Sequence, residues 1–175
     1  MLRETLDVLD FLDEARNAAD PFAALLPDGD HSIEITPYES DLGRTDFIKI
    51  LFPGSAGKSG GGSAPTTGII GSNGGLRLPG DYPGLASDAD GCIVGLACAL
   101  RLARMRQRDQ LLTGDVLVST HICQQAHPAP HDPFPFVMSP LPSSEKHPRL
   151  VDARMDAILT PETCKGNKMV SHLGF

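Results

Sequence analysis

Between residues 67 and 122 the chain carries two short apolar runs, TGIIG and VLVST, on either side of a helix-patterned stretch, and this order constrains its fold more than anything else in the sequence. Runs of this length, rich in β-branched residues and preceded or followed by glycine, suit strands buried on both faces, as in parallel sheets. The stretch between them puts Ile93, Leu96, Ala97, Leu100 and Ala103 on one stripe, which predicts a helix running to about Arg108. Ser87, with Asp90 three residues on, forms a Ser-x-x-acid box at its start. Gly91 and Gly95 each weaken that helix by up to ~1 kcal/mol relative to alanine, so a close approach of helix to sheet is expected there. Strand, helix and strand make a βαβ unit with an expected right-handed crossover. The fold class is α/β: a mostly parallel or mixed sheet around this unit, with helices packed on the sheet.

The flanking segments extend the same architecture. Leu6, Leu9 and Leu12 lie at helical spacing among acids, and Asp20 before Pro21 starts a short second helix through Leu26. Residues 32–37 and 46–52 alternate as two strands. The glycine- and serine-rich stretch 53–66 reads as a mobile loop between neighbouring strands. Its GSAGKS resembles a phosphate-binding loop, but Phe52 stands where the first glycine is required and a strand follows, so no nucleotide cofactor is expected. Residues 127–148 carry seven prolines, and 124–149 reads as a proline-rich loop without regular structure. Residues 155–159 and 168–172 suit two further strands. On the long helix, Arg101, Arg104 and Arg108 share a face that reads as solvated.

A chain of 175 residues with 41% hydrophobic residues is one domain, 1–175. A net charge of -7 without a basic run argues against nucleic acid as a partner. Acids interrupt the apolar positions of the N-terminus, which excludes a signal-peptide core or membrane span there, and a cytoplasmic location is expected. The four cysteines, at positions 92, 98, 123 and 164, show no zinc-finger spacing.

Ligands on strand ends and helix starts converge at the carboxyl edge of a parallel sheet. Asp88, Asp90, His121 and His131 are therefore candidate ligands of a divalent metal, zinc or manganese, and His121 and Glu162 candidate catalytic groups. Asp132, next to His131, would orient it. Each has a plainer alternative. Acids in a first helical turn complement the helix dipole, a buried histidine is commonly just hydrogen-bonded, and Glu162 after Pro161 suits a turn.

The order of TDFIKI, APTTGIIG, GLASDADGCIVGLACALRLARM, GDVLVSTHIC, PHDPFPFVMSP and MDAILTPETCKGN resembles the bacterial and archaeal family called domain of unknown function 1177. The resemblance covers nearly the whole chain. It implies a longer protein, and so a domain lacking its C-terminal part, but no chemistry. A weaker likeness links the strand, DxDG, helix and GDVLVST order to co-catalytic zinc aminopeptidases and deacylases. That likeness implies a metal-bridging role for Asp88 or Asp90, whereas Thr120 and His121 stand where an acidic pair belongs, and Ser72 and Asn73 where a histidine ligand belongs. The function expected is a metal-dependent hydrolase of amide or peptide bonds acting on a small-molecule or peptide substrate. The alternatives are a non-catalytic binding or scaffold subunit, or one chain of a self-processed hydrolase. The apolar run Phe134, Phe136, Val137 and Met138 suggests contact with a second copy or with the missing C-terminal segment.

Overall fold

The computed structural model describes residues 1–13, 19–76, 89–123, 126–130, 132 and 136–161. Helices α1 (Leu2–Asp13) and α2 (Ala19–Leu25) precede a hairpin of β1 (Ser32–Ser40) and β2 (Gly43–Phe52). Strand β3 (Thr67–Leu76), helix α3 (Asp90–Arg106) and strand β4 (Val116–Cys123) follow. The chain continues through β5 (His127–Ala129), β6 (Phe136–Met138), α4 (Ser143–Leu150) and β7 (Ala157–Leu159). The main sheet has the order β1-β2-β4-β3-β7. Its β4, β3 and β7 run parallel, and β2 is antiparallel to both β1 and β4. This is a mixed α/β sheet with β3-α3-β4 at its centre.

Alternation along the strands sorts the core into two faces. On the first, Ile48, Ile50, Val116, Val118 and Ile122 join Leu96 and Leu100 of α3 and Val8 and Leu12 of α1 in one cluster. Helix α3 is buried on two sides, against the sheet and against α1, and its run of alanines and glycines suits it to both. On the second face a smaller cluster of Phe47, Ile70, Leu141 and Leu150 forms where α4 crosses the sheet.

Four expectations need correction. Strands β2 and β3 are consecutive but not neighbours, because β4 inserts between them, so the 53–66 loop bridges over a strand. Its backbone gathers around the Asp115 carboxylate, which accepts hydrogen bonds from Gly54 N and from Ser59 N and Oγ, each at 2.8 Å, while Lys58 pairs with Asp156. The arginine side of α3 is not merely solvated: Arg104 pairs with Glu4 and Asp7 of α1, and Arg101 with Glu4. The proline-rich stretch contains the β5–β6 pair and α4. There Pro142 occupies the N-cap and Pro148 the last turn, where the lost N–H costs one bond to the exposed Ser144. Finally, α3 starts at Asp90 with Ala89 as its cap residue, so Asp90 occupies the first helical position, not the third of a capping box. Ser87 and the strand expected at 168–172 lie outside the described residues.

Candidate functional site at the carboxyl edge of the parallel strands

Three backbones meet where β7 has ended, α3 begins and β3 enters its bulge after Gly71. A Cβ on Gly71 would fall 2.6 Å from the Gly91 carbonyl oxygen, and a Cβ on Gly91 would fall 2.4 Å from the Pro161 carbonyl oxygen. The close approach expected at Gly91 is therefore real, and only glycine permits it. Gly95 differs, since a Cβ there meets Val118 Cγ1 at an ordinary 3.6 Å. The contact at Gly91 places Asp90, exposed at the first position of α3, beside the segment that leads into Glu162.

His121 lies elsewhere. Its neighbours Val118 and Ile122 alternate such that residues 117, 119 and 121 project to the face away from α3. Beyond Gly71↔Thr120 the pairing resumes at Gly75↔Ile122, so Ser72, Asn73 and Gly74 of β3 stand opposite His121 alone. This bulge lays Gly74, at φ +73°, across the imidazole, and a Cβ there would fall 2.5 Å from Cε1 and Nε2. The Phe47 ring packs on the imidazole with centroids 5.4 Å apart. Thr45 Oγ1 lies 2.9 Å from Nδ1 and 3.1 Å from the Ile122 carbonyl oxygen. The hydroxyl has one proton, so when it donates to that carbonyl, Nδ1 must carry the ring hydrogen. Nε2 has no hydrogen bond of good geometry among the described residues.

Burial is the main force on the His121 pKa, lowering it from 6.5 to about 3; the Lys146 charge lowers it further and the Ser72 backbone opposes both. The ring is neutral at physiological pH. Sealed from solvent, on the far face of the sheet from α3 and beside a buried ammonium that repels cations, His121 is not joined to Asp90 as ligand or base. Lys146 was not foreseen in the sequence. Its spacing of four from the buried Leu150 is the helical signal that the surrounding prolines obscured.

Asp88, His131 and Glu162 lie outside the described residues, and Asp132 is exposed. Among the described residues, no three His, Cys, Asp or Glu side chains form a metal-ligating group. Likewise, among them no helix is long and apolar enough to cross a membrane.

A prediction about acid stability follows from the His121 environment. Its folded pKa is below its unfolded value, so the unfolded chain binds a proton that the native ring refuses. Stability is complete above pH 6.5 and falls as pH drops from there toward about 3. Near pH 5 the expected loss is about 2 kcal/mol, at 1.36 kcal/mol per pH unit below the unfolded pKa. Carboxylates such as Asp115, also lowered, add to the loss only below their ordinary range near 3.8. Urea titrations at a series of pH values test this, and a flat profile between pH 6.5 and about 5 would contradict it.

Sheet order, helix placement and the carboxyl-edge convergence define an α/β protein with a mixed five-stranded sheet. Within that class the chain belongs to the family described as Protein of unknown function (DUF1177), whose sequence profile matches residues 36–175. No curated protein and no solved structure matches it.

Proposed function

We propose that this protein is a metal-dependent hydrolase of amide or peptide bonds, with its site at the carboxyl edge of β3, β4 and β7. One observation carries the proposal. The Gly71–Gly91–Pro161 contact brings the start of α3, at Asp90, to Pro161, the residue before Glu162 in the sequence. Asp88, Asp90 and His131 are the residues assigned to hold zinc or manganese, a hard-to-borderline donor set suited to either. Glu162 is the acid–base group. A divalent ion bound there would acidify a coordinated water and supply a nucleophile near neutral pH. Asp90 contributes a carboxylate at the first position of α3, and His121, enclosed on the other face of the sheet, takes no part in holding the ion.

The test is metal content and melting temperature. Purified protein should carry a near-stoichiometric divalent metal, and chelation should lower its stability by about 2.7 kcal/mol if metal was present at a hundredfold excess over Kd. Asp90→Ala should lose most of the metal, while Asp28→Ala, at an exposed position before β1, should keep it. Full metal retention in Asp90→Ala, or no metal in the wild-type protein, removes the assignment.

A second reading, a non-catalytic binding subunit on a hydrolase-like sheet, is favoured by the enclosure of His121 and the nearby Lys146 charge. In that case chelation leaves the melting temperature unchanged.

A further inference from the structure

On the second face of the sheet, between the C-terminal half of α4 and the β1–β2 hairpin it packs on, lies a recess of about 200 Å³ lined by Glu34, Thr36, Phe47, Lys49, Pro148 and Arg149. This exceeds the ~150 Å³ cavity that holds benzene. Phe47, packed beside the His121 ring on the neighbouring strand, is its apolar floor, and Pro148 its apolar wall. Register places Glu34 directly opposite Lys49 and Thr36 opposite Phe47.

The charges around this floor are unevenly committed. Lys49 turns away from Glu34 to Asp152, at 3.1 Å, and to the Val151 carbonyl. Asp152 also accepts from Arg154 at 2.8 Å. Glu34 and Arg149 are left without an ion-pair partner within 4.0 Å among the described residues. The Arg149 guanidinium instead lies over the Tyr38 ring, 5.0 Å from its centroid. Glu34, which meets the Arg154 charge only beyond ion-pair distance, and Arg149, stacked on Tyr38, thus flank one apolar floor.

Their spacing selects the ligand. Arg149 sits at the level of Tyr38, four residues along β1 from Glu34, which is about 13 Å of strand. A hydrogen bond of about 2.8 Å at each end takes up part of that gap. A free α-amino acid is too short to span it, whereas two or three extended residues at about 3.5 Å each match it. We infer that this recess binds a short zwitterionic peptide, its ammonium on Glu34, its carboxylate on Arg149 and an apolar side chain over Phe47 and Pro148. The site uses none of Asp88, Asp90, His131 or Glu162, so it stands or falls separately from the hydrolase assignment.

The experiment uses alanyl-leucine as probe, with a chelator present so that no metal chemistry intervenes, and reads binding by calorimetry. Tyrosine emission gives a second signal, since the chain has no tryptophan and only two tyrosines, Tyr38 and Tyr82. Saturable binding with Kd below about 1 mM is expected, weakened about tenfold or more by N-acetylation, by C-terminal amidation, by Glu34→Gln and by Arg149→Gln. Both substituted residues are exposed, so the variants should fold. Asp90→Ala should bind as wild type. No saturation at about 10 mM, or affinity indifferent to either end of the peptide, overturns the inference.

Discussion

Asp115→Ala is expected to lower the unfolding free energy by about 3 to 5 kcal/mol, the largest loss from any single truncation at the amino edge of the sheet. Asp115 is 2% exposed and precedes β4. It accepts three hydrogen bonds at 2.8 Å from Gly54 and Ser59, and a longer one of 3.5 Å from the Thr66 hydroxyl. Burial alone would raise its pKa, yet the value is lowered, because these donors outweigh the desolvation. Removing the carboxylate strands them together in a site that water reaches poorly. Asp115→Asn keeps one acceptor oxygen but aims an NH2 at the remaining donors, so it should recover less than half of the loss. Gly57→Ala should mimic the defect sterically, since its Cβ would fall 1.8 Å from Asp115 Oδ1. Urea unfolding at neutral pH measures all three. A loss under about 1 kcal/mol in Asp115→Ala would mean that the carboxylate does not hold the 53–66 loop.

Gly91→Ala and Gly95→Ala should shift stability in opposite directions although they lie one turn apart on α3. Alanine improves helix propensity at both positions by about 1 kcal/mol. At Gly95 the new methyl meets Val118 Cγ1 at contact distance, so propensity wins and a gain of about 0.5 to 1 kcal/mol is expected. At Gly91 it meets the Pro161 carbonyl oxygen at 2.4 Å and the Gly71 Cα at 3.3 Å. Both obstacles are backbone and cannot rotate aside, so overpacking exceeds the propensity gain and a net loss of about 1 to 3 kcal/mol is expected. Under the proposed function, Gly91→Ala also separates Asp90 from the approach to Glu162 and should lose metal along with stability. Equal gains in both variants would show that helix and strand ends do not meet as described.

Much of this was legible in the residues themselves. The apolar runs of β3 and β4, the stripe on α3 and the alternation of β1 and β2 are local patterns, and each formed the predicted element. The two helix glycines signalled a close approach that Gly91 makes and Gly95 does not, because only Gly91 faces the Pro161 backbone. Other features were not legible. The Ser72–Gly74 bulge opposite His121 depends on which strand pairs with β3, and pairing is a non-local choice. Helix α4 was hidden because its prolines stand at the N-cap and in the last turn, where the helix survives them, while composition alone suggests a loop. Arg104 looked like a solvated cation until α1 laid Glu4 and Asp7 against it.

Local periodicity along the chain therefore determined the central βαβ unit, the first helices and the β1–β2 strands, because those depend on backbone sterics and on neighbours two to four residues away. Only the tertiary structure decided which face of the sheet each strand residue met. It turned His121 toward Lys146 and away from Asp90, because insertion of β4 between β2 and β3 sets the register, and side chains on a strand alternate with no regard to the chemistry they carry.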